Sequence, residues 1–140
     1  DSGGELYEPM TLVMELVKEI LKTHSIDQNR LYVGGLSMGG YGTFDIIARM
    51  PNKFAAAFPI CGGGSPDVAY QYVEKTALWI FHGAKDEVVK PEESHNMYKV
   101  LKAMSADVKY TEYPDAGHDS WTPAFAEPDL LDWIFSQRLE

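Results

Sequence analysis

Apolar side chains return along this chain in two rhythms, and the alternation between them lays out the elements. Met10, Val13, Met14, Val17, Ile20 and Leu21 recur at helical spacing, with Glu15, Lys18, Glu19 and Lys22 on the other face and Pro9 near the first turn. This predicts an amphipathic helix from about Pro9 to His24. Ser25 to Asn29 is turn chemistry, and the short apolar run from Arg30 to Gly35 predicts a buried strand that leads into a Gly-rich bend. Phe44, Ile47 and Ala48 then mark a helix from Met38 to Met50, stopped by Pro51-Asn52. Two continuous apolar runs, Phe54 to Ile60 and Ala77 to Phe81, read as strands buried on both faces, ending at Cys61-Gly62-Gly63-Gly64 and His82-Gly83. Met97, Val100, Leu101 and Met104 predict a helix between Pro91 and Met104. Val108 to Tyr113 alternates apolar and polar residues, as a strand with one wet face near a sheet edge does. A last helix is predicted from about Ala124 to Leu139, with Leu130, Leu131, Ile134 and Phe135 as its stripe and Pro128 where its regular part begins.

Strands alternating with helices, and no short hairpin signal, predict an α/β fold with a parallel sheet. Ligands of such sheets bind beyond the carboxyl ends of the strands, so functional residues are expected just after Gly35, Ile60, Phe81 and Tyr113. Residues 1–140 read as one domain, without an internal repeat, linker or low-complexity tract. Apolar residues at 45% and charged residues at 24% fit a folded domain. Twelve Lys and Arg against 21 Asp and Glu leave a net charge of −9, which repels phosphate backbones and anionic lipid, so neither nucleic acid nor a membrane surface is an expected partner. No apolar run is long enough for a membrane span, and Asp1-Ser2-Gly3-Gly4-Glu5 lacks the features of a signal peptide, which leaves the compartment open. The single cysteine, Cys61, cannot close an internal disulfide, and no Cys/His cluster has zinc-ligand spacing.

The first strand is followed by Gly35-Leu36-Ser37-Met38-Gly39, a G-x-S-x-G between strand and helix. A serine on such a sharp turn sits in strained backbone, and glycine at both flanking positions is expected to keep side chains out of the bend. Its hydroxyl projects at a helix N-terminus, where the Met38 N–H is a candidate donor to a developing oxyanion. The bland reading is a Gly-rich turn with an incidental serine. Nucleotide-binding patterns fail, since Gly-Lys-Ser/Thr is missing and Gly34, Gly35, Gly39, Gly40 and Gly42 do not give the dinucleotide spacing.

A serine hydroxyl needs a base to take its proton and an acid to orient that base. Asp86 follows the third strand and His118 the fourth, each in a loop at the predicted active edge. Asp115 and Asp119 compete as acid but lie too close to His118 in sequence to come from a separate strand end; His82, His24 and His95 compete as base. Metal ligation by His82, Asp86 and His118 matches no recognised ligand set, so neither metal nor cofactor is expected. Tyr41 and Trp121 are candidates to line an acyl or alcohol pocket, against the simpler reading of both as core aromatics. Cys61 reads as an inert apolar residue at a strand end.

Gly34 to Gly42, Met50-Pro51-Asn52-Lys53-Phe54-Ala55-Ala56, His82-Gly83-Ala84-Lys85-Asp86 and Gly117-His118-Asp119-Ser120-Trp121 together resemble an α/β-hydrolase. The resemblance is to phospholipase/carboxylesterase-like and peptidase-like serine esterases, with feruloyl and polyhydroxybutyrate esterases as neighbours, and it spans nearly the whole chain. It implies a parallel sheet with helices on both faces and a cofactor-free serine esterase acting on a small-molecule ester. By the same resemblance Ser37 is the nucleophile, Asp86 the acid, His118 the general base and the Met38 amide an oxyanion donor. Only 36 residues precede Ser37, so the amino-terminal strands of that fold are expected to be lacking. Leu6-Tyr7-Glu8 is too short to pair with the open edge of the first strand. A preceding segment of about 80 residues is therefore expected to complete the sheet and supply the second oxyanion donor, with a homodimer across that edge as the weaker alternative.

Overall fold

The computed structural model describes residues 9–140, so Leu6-Tyr7-Glu8 lie outside the described residues. Helix α1 (Pro9–Thr23) leads to β1 (Tyr32–Leu36), α2 (Met38–Arg49), β2 (Ala56–Ile60), a 3-10 helix (Pro66–Gln71) and β3 (Ala77–Gly83). Helix α3 (Glu92–Ala103), β4 (Val108–Tyr113), α4 (Trp121–Phe125) and α5 (Leu130–Ser136) follow. The strands form one four-stranded sheet in the order β1-β2-β3-β4, and every neighbouring pair is parallel. The expected α/β class and parallel sheet stand, and β4 takes the edge its alternation called for.

Pleating sends alternate strand residues to opposite faces, and each face has its own core. Val33, Ala57, Leu78, Ile80, Val108 and Tyr110 meet Phe44 and Ile47 of α2 and Met97 and Leu101 of α3. On the other side Tyr32, Phe58, Ile60, Trp79, Phe81 and Tyr113 meet Ala124 of α4 and Leu130 and Ile134 of α5. Helices thus cover both faces. β3 is buried along its whole length, which is why its sequence is continuously apolar from Ala77 to Phe81.

Three expectations change. The last helix is broken in two, because Pro128 has no N–H for the helical ladder, and regular turns resume only at Leu130. In that second piece Leu130 and Ile134 are buried, whereas Leu131 and Phe135 are mostly exposed. Helix α1 packs through Met10, Met14 and Val17 but leaves Leu12, Val13, Leu16 and Ile20 exposed. Beside it, β1 has a partner on one side only among the described residues. None of the described helices is long and apolar enough to cross a membrane.

The carboxyl end of each strand is tied to the next strand. Ser37 N–H donates to Ile60 O at 2.9 Å, Cys61 N–H to Phe81 O at 2.8 Å, and Ala84 N–H to Tyr113 O at 2.9 Å. The loops that leave β1, β3 and β4 therefore start from one level of the sheet.

Candidate active site

The chain turns from β1 into α2 within one residue. Ser37 takes φ 56° and ψ −117°, in the left-handed half of backbone space that costs a side-chain-bearing residue about 1–3 kcal/mol. The turn is held by the Ser37 N–H bond to Ile60 O and by a 3.2 Å contact of the same N–H with Cys61 Sγ. Tyr41 N–H and Gly40 N–H both donate to Ser37 O, closing the first turn of α2. Met38 stands at the first helical position, so its N–H has no acceptor within the helix and faces outward.

The glycines around the serine do not share one role. A Cβ on Gly35 would lie 2.4 Å from Gly39 O, so Gly35 is sterically required, as expected. A Cβ on Gly39 would meet nothing within 4 Å, so the second flanking glycine is not required by the bend. Its neighbour Gly40 is: a Cβ there would lie 2.6 Å from Ile60 O and 3.0 Å from Gly62 Cα. Gly40 and Gly62 let α2 press against the loop after β2, and that contact is what the local motif does not reveal.

Ser37 Oγ lies 2.8 Å from His118 Nε2, and His118 Nδ1 lies 2.9 Å from Asp86 Oδ2. Nδ1 faces a carboxylate and so carries the ring proton, which leaves Nε2 free to accept from the serine hydroxyl. The other carboxylate oxygen, Oδ1, accepts from Val88 N–H and Val89 N–H, each at 2.9 Å. Burial of Asp86 opposes ionisation, but the His118 hydrogen bond, the two amides and the His118 charge outweigh it and hold the carboxyl below its ordinary value. The two loops that carry Asp86 and His118 are zipped together. Lys85 N–H donates to Ala116 O at 2.9 Å, and a Cβ on Gly83 would lie 2.2 Å from Gly117 O, so only glycine lets the second loop cross over the end of β3.

The competing residues are placed elsewhere. Asp115 is a nearly free surface carboxylate 3.4 Å from Lys85 Nζ, and Asp119 is exposed. His24 contacts Thr23 Oγ1 at the end of α1, and His95 sits 2.7 Å from Glu112. His82 is fully buried against Asp86, Val89 and Ser94, behind the carboxylate instead of beside the serine. Trp121 stands edge-on to His118, with ring centroids 5.4 Å apart. Tyr41, 40% exposed, lines a cavity of about 720 Å³ with Met10, Val13, Met38, Phe44 and Val68, next to the Ser37 turn. Trp121 does not line that cavity.

Cys61, expected to be an inert strand-end residue, lies inside the site. It is wholly buried at φ 43°, and its Sγ touches the backbone of the serine turn. Burial pushes its thiol pKa up, the Ser37 N–H works against that, and the Asp86 charge adds to the rise. The protonated thiol is consistent with a packing role. Among the described residues the trio with ligand atoms within 4.8 Å of one another is Cys61, Asp86 and His118, not the His82 set weighed from sequence. Two of those three are already committed to each other.

A model of the dienelactone hydrolase family matches residues 9–129, which takes in both strand-end loops and the serine turn. The chain belongs to the dienelactone hydrolase family. Within it, the fold is closely similar to a crystal structure of a thermostable esterase, with a TM-score of 0.89 and 37% identity, covering 94% of this chain and 37% of that one. In sequence this dienelactone hydrolase family member is 29% identical over 108 residues to the bifunctional acetylxylan esterase/xylanase XynS20E of Neocallimastix patriciarum, covering 74% of this chain and 16% of that protein. It is also 28% identical over 153 residues to the uncharacterized peptidase YuxL of Bacillus subtilis (strain 168), covering 85% of this chain and 23% of the relative. The chain thus spans less than a quarter of either curated relative. The resemblance to α/β-hydrolase esterases stands.

Proposed function

We propose that this chain carries the catalytic centre of a serine hydrolase that cleaves carboxylic esters through an acyl-enzyme on Ser37. The observation that supports it is the unbroken line from Ser37 Oγ through the His118 ring to Asp86, standing on a strained turn at a helix N-terminus. As Oγ bonds to the ester carbonyl carbon, its proton passes to His118 Nε2, and the imidazolium is stabilised by Asp86. The carbonyl oxygen becomes an oxyanion toward the Met38 N–H. Collapse breaks the ester C–O bond, and His118 returns the proton to the departing alcohol. Water then adds to the acyl carbon while His118 takes its proton. The acid leaves, and Oγ regains its hydrogen. None of these steps calls for a metal or a cofactor.

The substrate is a small-molecule ester, and the apolar lining beside Ser37 suits an uncharged acyl or alcohol group. The similarity to a peptidase supports a second reading, amide cleavage by the same residues. The one-sided pairing of β1 and the exposed side chains of α1 support a further polypeptide segment that extends the sheet and adds the second oxyanion donor; a second copy of this chain is the alternative cover. If neither supplies that donor, the residues form an idle, purely interacting module.

A fluorophosphonate probe should label Ser37, and Ser37→Ala should cut aryl-acetate hydrolysis by about 10³- to 10⁶-fold with the fold intact. Activity within tenfold of wild type would overturn the nucleophile. Faster turnover of a peptide anilide than of the ester would favour the peptidase reading, and a probe-inert protein would favour the idle module. Light scattering and intact mass identify what covers β1.

A further inference from the structure

His82 is a fully buried histidine that the reaction above does not use, and its Nε2 side faces Asp86 and the turn that follows it. It extends from the end of β3 on the face that packs against α3. Its Nε2 lies 2.9 Å from Val89 O and 3.3 Å from Asp86 Oδ2. Both are acceptors, so Nε2 carries the proton. Its Nδ1 lies 2.6 Å from Ser94 Oγ in the first turn of α3. Ser94, itself 1% exposed, also has Gly62 O within 3.3 Å, on the loop that presses against α2.

Val89 is therefore gripped at both ends of its backbone. Its N–H holds Asp86 Oδ1, and its C=O accepts from His82. The same His82 N–H flanks Asp86 Oδ2, the oxygen that orients His118. Asp86 sits in a loop, where a carboxylate could rotate about its last torsion. The two amides fix one oxygen, and His82 fixes the turn that carries those amides and the direction of the other.

We propose that His82 is a positioning residue for the triad: through Nε2–H it locks the 86–89 turn and aims Asp86 Oδ2 at His118. It touches no reacting atom. This rests on the reading of Asp86, His118 and Ser37 as the triad. The claim is specific to one ring nitrogen, which makes it separable from a general need for something of histidine's size in the core. A glutamine amide reaches about as far as Nε2 and can donate there, whereas asparagine places its amide near the Nδ1 position and leaves Val89 O and Asp86 Oδ2 without the donor.

The test compares His82→Gln, His82→Asn and His82→Leu in the purified protein, each checked for native circular dichroism and melting, by steady-state ester hydrolysis and by the rate of fluorophosphonate labelling. His82→Asn and His82→Leu should lose about 10- to 100-fold in kcat and in labelling rate with KM little changed, while His82→Gln stays within about threefold. In an Asp86→Asn background the His82→Asn change should cost almost nothing further, since there is no longer a carboxylate to aim. Should the leucine variant fail to fold, the comparison of the two polar variants decides alone. A folded His82→Asn with wild-type kcat, a His82→Gln as impaired as His82→Asn, or full additivity with Asp86→Asn would each overturn the assignment. A wild-type protein that neither labels at Ser37 nor loses activity as Ser37→Ala would instead overturn the triad reading on which it rests.

Discussion

Adding one methyl group at Gly39 and at Gly40 should give opposite results, although the two residues are adjacent and only Gly39 belongs to the motif. At Gly40 the new Cβ starts 2.6 Å from Ile60 O, and ordinary contact begins at 3.4 Å, so backbone must retreat by about 0.8 Å. The obstacles are the main chain of β2 and Gly62, which cannot swing aside as a flexible side chain could. Overpacking of this kind costs about 1–3 kcal/mol. For a chain of 140 residues each kcal/mol lowers the melting temperature by roughly 3–5 °C. Because α2 begins at the residue after Ser37, the same displacement moves Oγ relative to His118, and Gly40→Ala should lose about 10- to 100-fold in kcat. At Gly39 the new Cβ meets nothing within 4 Å, and a glycine in the first turn of a helix is replaced. Gly39→Ala should therefore raise stability by about 0.4–1 kcal/mol through the unfolded state. Its kcat should stay within about threefold of wild type. Thermal unfolding and aryl-acetate hydrolysis read both effects. If Gly39→Ala does as much damage as Gly40→Ala, or if Gly40→Ala is neutral, the steric argument for this turn is wrong.

Asp86 is held below the ordinary carboxyl value of 3.8, so the stability it contributes is present above that pH and disappears as pH falls through its lower folded value. The stability gap between wild type and Asp86→Asn, followed by denaturant titration from pH 6 to pH 2, should narrow below about pH 4; a gap that stays constant would remove the carboxylate from the account. Chelators such as EDTA and phenanthroline should leave ester hydrolysis unchanged, because each proposed step is served by Ser37, His118 and a backbone N–H, and inhibition reversed by added zinc would refute that chemistry.

The elements that sequence reading placed well are those whose burial is decided by the pleat or the helical turn alone. β3 is buried throughout because both its faces are covered, and β4 stands at the edge, where Lys109 is exposed and Tyr110 to Tyr113 are half-buried. The strand-end rule then led to Ser37, Asp86 and His118 without any knowledge of contacts, since each follows a different strand of one parallel sheet. What was not legible depends on residues distant in the chain. Gly40 against Gly62, Cys61 under the serine turn and Gly83 under Gly117 are all approaches between separate elements, and no local spacing records them. One element carries a local signal in the sequence. Ser65-Pro66-Asp67 is a helix start, and it opens the 3-10 helix Pro66–Gln71. Pro128 does precede the regular helix that starts at Leu130, while the stretch from Ala124 belongs to a separate short helix.

Strand order in this sheet is also chain order, and that gives the site a history during synthesis. Each new strand adds beside the one made just before it, so the sheet can grow vectorially from β1 to β4. Ser37 and His118 are separated by 81 residues, which a ribosome takes roughly 4–16 s to make at about 5–20 residues per second. Through that interval Ser37 stands without the His118 contact, as an ordinary alcohol. On the proposed reading, the serine gains its base only when the loop after β4 docks over Gly83, so a chain cut short before His118 carries no triad.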